Sequence, residues 1–168
     1  RLNVRTEYRL VWESNLEWAR AQIFSSEGKF VEAERSLRRA LKLNADILEL
    51  IKDAGKDAIN NEVRVVQDAT TSTKGITRQR IVMMIQMSNA FLWQRKLIDA
   101  EYWSRESVIL AINEFGADSS LPAYTLLSLS RVIAEQGRSQ EAVVLAKAAL
   151  DAALKSTNFV GSTVIADS

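Results

Sequence analysis

The sequence predicts an all-α protein, and three observations carry that prediction. One proline and six glycines stand among 168 residues, so few helix breakers interrupt the chain. Apolar residues recur at i, i+3, i+4 and i+7 through most of its length, which is the period of a helix face rather than a strand. Short polar turns around Gly28, Arg95 and Gly137 separate long periodic runs, as in antiparallel helical hairpins.

The first run, Val4 to Ser26, reads as one long helix. Its apolar set includes Val4, Tyr8, Val11, Trp12, Leu16, Ala19, Ile23 and Phe24. Gly28 ends it, since glycine tolerates the positive φ that follows a helix terminus. A second helix starts near Phe30 and turns Ala33, Leu37, Ala40 and Leu41 inward. Arg35, Arg38, Arg39 and Lys42 fall on its other face. Asn44-Ala45-Asp46 either caps this helix and starts the next or is read through. From Asp46 to Thr70 the positions Ile47, Ile51, Ala54, Ala58, Ile59, Val66 and Ala69 are again helical. Thr70 to Gly75, four hydroxyl residues followed by lysine and glycine, predicts a loop.

Thr77 to Trp93 predicts a helix bearing Ile81, Met84, Ile85, Met87, Ser88, Phe91 and Leu92. A tight turn at Gln94-Arg95-Lys96 leads to its partner, Leu97 to Glu114, with Ala100, Ser104, Val108 and Ile112. Gly116 to Ser120 reads as a linker. Pro122 suits a first helical turn, where its missing N–H costs nothing. A last hairpin pairs Tyr124–Glu135 with an alanine-rich helix over Glu141–Leu154. Beyond Ser156 the pattern fades, and Thr157 to Ser168 reads as a frayed tail or the first part of an excised repeat. The chain opens on Arg1 rather than Met, so it is expected to be a piece of something longer.

The three hairpins align on small residues. Gly28, Phe30, Ala33, Leu37 and Ala40 correspond to Arg95, Leu97, Ala100, Ser104 and Ser107, and to Gly137, Ser139, Ala142, Ala146 and Ala149. Upstream, Ala21, Ser88 and Ser130 share one position, and Phe24, Phe91 and Ile133 another. Two helices pack closely only where small side chains meet, with a larger residue nearby to fill the space beside them. This pattern resembles the tetratricopeptide repeat (TPR). The middle copy departs from it with Arg95 at the glycine position. All three copies lack its signature tryptophan, having Glu17, Met84 and Leu126 there. Ala100 and Ala142 lie 42 residues apart, longer than the usual ~34. That spacing is similar to the variant of kinesin light chains and of bacterial TPR proteins attached to caspase-like CHAT domains.

The resemblance implies antiparallel hairpins stacked as a right-handed superhelix of about six to seven helices, an α-α solenoid. It implies a single domain over residues 1–168, with repeats near 14–45, 80–115 and 122–155 and an irregular helical insert at 46–76. It also implies a concave face lined by the first helix of each pair. Carried over position by position, that face comprises Asn15, Trp18 and Gln22, then Gln86, Asn89 and Trp93, then Tyr124, Ser128 and Arg131. Amides suit the backbone of an extended peptide, Arg131 suits a carboxylate, and the rings supply apolar area. Asn89 stands where peptide-clamping members carry asparagine. The lysines of that clamp are missing, with Trp18, Ile85 and Tyr124 in their places, so a chaperone-tail clamp is not expected. Trp18 and Trp93 have a second reading as packing against a neighbouring helix. Trp12 and Trp103 read as core or inter-helix filler.

Chemistry has little to work with. The chain has no histidine and no cysteine, which removes the usual zinc sites, imidazole bases and thiol nucleophiles. Gly28-Lys29 lacks the rest of a phosphate loop. Carboxylates such as Glu32 and Glu34, or Glu13 and Glu17, read as a solvated surface. No catalytic residue, metal or cofactor is expected. Net charge is +1, from 22 basic and 21 acidic residues, so no global field gathers nucleic acid. The stripe Arg35, Arg38, Arg39, Lys42 is offset by nearby Glu32, Glu34 and Asp46 and reads as a solvated face, with anion or RNA contact as its alternative. No apolar run reaches the ~20 residues of a membrane span. The expected function is a non-catalytic module, bacterial, binding a protein or peptide partner. Two alternatives accompany it: a sensory or regulatory segment of a larger signalling or CHAT-type protease protein, and a self-associating scaffold. The compartment, bacterial cytoplasm or periplasm, is left open.

Overall fold

The structure, a computed structural model, describes residues 4–58 and 73–165, with side chains over 9–53 and 73–156. Six helices account for nearly all of it: α1 Val4–Ser26, α2 Phe30–Ala58, α3 Thr73–Trp93, α4 Leu97–Phe115, α5 Ser120–Glu135 and α6 Ser139–Ile165. Among the described residues there is no strand, so the protein is all-α. The chain falls into two compact units, Arg1–Ala90 and Phe91–Ser168.

In the first unit α1 and α2 form a hairpin whose contact is built from small residues. Ala21, Ala33 and Ala40 are buried, and the Ser14 hydroxyl donates to the Ala40 carbonyl (3.2 Å). This sets a phase for α1 that its apolar periodicity does not. Trp12, Leu16, Ala19 and Ile23 belong to the apolar set of this helix, and Trp12 was expected as core or inter-helix filler, yet all four are exposed. The buried pole is Ser14 and Ala21, on the opposite side of the helix. Close approach to Ala40 requires small side chains at the contact, and the large apolar row is turned away. Trp12 is thereby not core filler.

α2 runs unbroken through Asn44-Ala45-Asp46. Asn44 caps nothing; it is fully buried and its side-chain amide donates to the Ile76 carbonyl of α3 (3.2 Å). Arg80 of α3 returns the link, donating to the Leu41 carbonyl (3.0 Å). The predicted loop is also shorter than expected at its end. Thr73, Lys74 and Gly75 already belong to α3, where the Thr77 hydroxyl donates to the Thr73 carbonyl (2.8 Å). The first N–H groups of a helix have no intrahelical partner in any case, so hydroxyl residues and glycine are tolerated there. Thr70–Ser72, and with them Ile59, Val66 and Ala69, lie outside the described residues.

In the second unit α5 lies beside both α4 and α6. Val108, Leu129, Ile133 and Ala142 form its core, with Leu126 and Leu145 packed against it. α4 offers Ala100, Ser104, Ser107, Val108 and Ala111 to the interior. Pro122 is buried in the first turn of α5. Trp103 is half-buried and meets Tyr102 edge-on at 5.8 Å between ring centres. α6 continues to Ile165, so the residues after Ser156 prolong the helix rather than fray from it at once.

Three turns share one bonding scheme. Gly28, Arg95 and Gly137 have φ of 74°, 60° and 81°. Each donates to the carbonyl three residues back, at Ser25, Leu92 and Ala134 (3.2, 3.0 and 2.9 Å). The next residue donates five back, to Phe24, Phe91 and Ile133 (2.8, 2.9 and 3.2 Å). That is the Schellman arrangement, which satisfies the last carbonyls of a helix. The same next residue (Lys29, Lys96 or Arg138) then accepts from Ala33, Ala100 or Ala142, each at 3.0 Å. Those three alanines are buried, as are Ala21, Ser88 and Ser130 upstream.

Candidate partner-binding surface

The nine positions expected to line a binding face divide between the two units and differ in what occupies them. In the first unit Asn15, Trp18 and Gln86 are half-buried and engaged with their own fold. The Trp18 indole N–H donates to the Gln86 side-chain oxygen (2.5 Å), and Gln79 donates to the Asn15 side-chain oxygen. These bonds tie α1 to α3. Asn89 is half-buried and Gln22 is exposed.

In the second unit the picture is different. Tyr124 is 53% exposed, Arg131 is exposed and Ser128 is half-buried. Leu127, which the sequence reading missed, is 55% exposed between them. The i, i+3, i+4, i+7 spacing of these four puts them on one face of α5, and that spacing was the signal available for Leu127. The face therefore combines a phenol, an aliphatic side chain, a hydroxyl and a guanidinium within two helical turns. Trp93, at the end of α3, is 63% exposed. Aromatic and arginine side chains of this kind contribute most of the binding energy at peptide and protein interfaces.

Behind this face the second unit is fixed by charge. Glu101 of α4 accepts from Arg138 (3.0 and 2.9 Å), from Gln136 (2.8 Å) and from Arg105 (2.8 Å). Gln136 also donates to the Leu97 carbonyl (3.1 Å), and Arg105 reaches on to Glu141 (3.0 Å). Partial burial alone pushes the Glu101 carboxyl up, but the donors Gln136, Arg105 and Arg138 outweigh it and hold it below the ordinary carboxylate value. Its hydrogen bonds to Glu101, then to Glu141, raise Arg138. The turn that ends α5 is thus latched onto α4, which holds the α5 surface in place.

Of the basic stripe on α2, Arg35, Arg38, Arg39 and Lys42 are all exposed, and Arg38 pairs with Glu34 (2.9 Å). Among the described residues no cluster of three acidic side chains offers a metal site, and no helix is long and apolar enough to cross a membrane. Compared with known proteins, the chain matches no protein-family model and no curated protein sequence.

Proposed function

We propose that this chain is a non-catalytic helical-repeat module of the tetratricopeptide type that binds an extended peptide segment of a partner protein. The repeat reading is supported by the three turns, which share φ, three bonds apiece and buried alanines at equivalent positions. In this reading the hairpins stack as a solenoid. The binding reading rests on one observation above others: α5 turns Tyr124, Leu127 and Arg131 outward together on one face. Arg131 accounts for a carboxylate in the bound segment, at an acidic side chain or a C-terminus, since guanidinium pairs with carboxylate in two parallel bonds. Asn15, Trp18 and Gln86 then serve the packing of α1 on α3, not the ligand.

A random peptide library displayed and panned on the purified protein tests this. The expected result is enrichment of peptides with an acidic group beside apolar residues. That enrichment disappears on a Tyr124→Ala, Leu127→Ala, Arg131→Ala variant with an unchanged circular dichroism spectrum. Enrichment of the same peptides by both proteins, or of none by either, rejects the reading.

A further inference from the structure

Among the described residues, α1, α4 and α6 carry rows of exposed apolar side chains, and the row on α1 differs from the other two. On α4 the row Ile98, Tyr102, Ile109 is interrupted by Arg105, and on α6 the row Val143, Leu150, Leu154 is interrupted by Lys147. On α1 the row Trp12, Leu16, Ala19, Ile23 has no charge within it. It follows a strict 4-3-4 spacing, the seam of a coiled coil. Trp12 is 73% exposed, Leu16 52% and Ile23 57%. Together they offer on the order of 300–400 Å² of apolar surface, taking full exposure of a large side chain as roughly 150–250 Å². That is within the range of patches which serve as interaction sites.

The edge of the row says what covers it. Glu13, Arg20 and Glu27 follow one side of the seam at seven-residue intervals, alternating in sign. In an antiparallel pair of helices, residues on the same edge of each helix face one another. A second α1 laid antiparallel, with Trp12 against Ile23 and Leu16 against Ala19 of the other copy, brings Glu13 opposite Arg20 twice, once in each half. Ala19 leaves room for Leu16 at the centre. A parallel pair in register instead sets this edge against the Asn15 and Gln22 edge and gains no charge pairing. In the monomer Glu13 is contacted by Arg9 at 3.6 Å, an exposed pair that costs little to rearrange, and Arg20 by the mostly buried Glu17 carboxylate at 2.7 Å, a bond that Arg20 keeps while its exposed guanidinium edge faces the other copy.

We infer that the protein forms a two-fold homodimer through antiparallel packing of the α1 seam, the occupant of that face being a second copy of the chain. With two copies contributing about 700 Å² of apolar area plus polar edges, the interface is smaller than a standard specific interface and falls among weak, transient ones. The dimer is therefore weak and concentration-dependent. Sedimentation velocity across a dilution series from low micromolar to submillimolar tests it. Wild type is expected to shift from monomer to dimer. Trp12→Asp, at a position that does not hold the monomer together, weakens dimerisation at least ~10-fold. Glu13→Arg and Arg20→Glu each weaken it by about 5-fold, and the double reversal recovers most of that loss, because it restores opposite charges across the two-fold axis. A wild type that stays monomeric throughout overturns the inference. So does a dimer indifferent to Trp12→Asp, or one that the double reversal weakens as the sum of the singles.

Discussion

At Arg95 a residue with a Cβ holds the left-handed backbone conformation that Gly28 and Gly137 adopt at equivalent turns. A left-handed conformation costs a non-glycine residue roughly 1–2 kcal/mol. What Arg95 returns is one exposed contact to Glu135 at 3.4 Å, worth little. Arg95→Gly is therefore expected to stabilise the protein by about 1 kcal/mol, less whatever the more flexible unfolded chain takes back. The reverse changes, Gly28→Ala and Gly137→Ala, should each cost about 1 kcal/mol. An added Cβ meets nothing within 4 Å at either glycine, so that cost is one of backbone alone. Urea midpoints decide the matter; a destabilised Arg95→Gly would mean that the turn depends on the arginine side chain. The sequence placed this turn correctly because Gln94-Arg95-Lys96 aligned with two glycine turns. Its strain was not legible, since nothing local distinguishes an arginine at positive φ from one in an ordinary turn.

The helices show where periodicity informs and where it stops. The end of α1 and the start of α2 were readable from Gly28 and the apolar run on either side. The facing of α1 was not. Its large apolar row and its small-residue pole lie on opposite sides, and which one meets α2 depends on Ala33 and Ala40 in another helix. Ala33→Leu should cost about 1–3 kcal/mol by overpacking that contact, whereas Ile23→Ala in dilute protein should change stability by less than ~0.5 kcal/mol. Equal effects would mean that Ile23 packs in the core. At Asn44 the sequence left a cap and a continuous helix both open, because its partner, the Ile76 carbonyl, is remote in sequence. The Glu101 latch belongs to this scale as well. A carboxyl held below its ordinary value contributes its full stabilisation above the unfolded value, ~4.3, and loses it as pH falls through the folded one. Glu101→Gln should lower stability by ~1 kcal/mol at neutral pH and by much less near pH ~3, as denaturant midpoints at the two pH values would show.

For the whole molecule, the helical class followed from composition and period, because those signals add over the entire chain. The candidate surface was legible only in part. Tyr124, Ser128 and Arg131 do share the exposed side of α5, but Trp18 and Gln86 are bonded to each other across 68 residues of sequence. No pattern in a single chain reveals such a pairing. With a net charge of only +1, the protein carries little net charge to draw partners from a distance. The most direct test of peptide binding on α5 is a calorimetric titration of a panned peptide into wild type, Arg131→Ala and Asn15→Ala. Arg131→Ala is expected to weaken binding by about 10-fold or more, through loss of a charge-assisted pair, while Asn15→Ala leaves it unchanged. Loss of binding in Asn15→Ala with an unaffected Arg131→Ala would contradict it and move the site to the first unit.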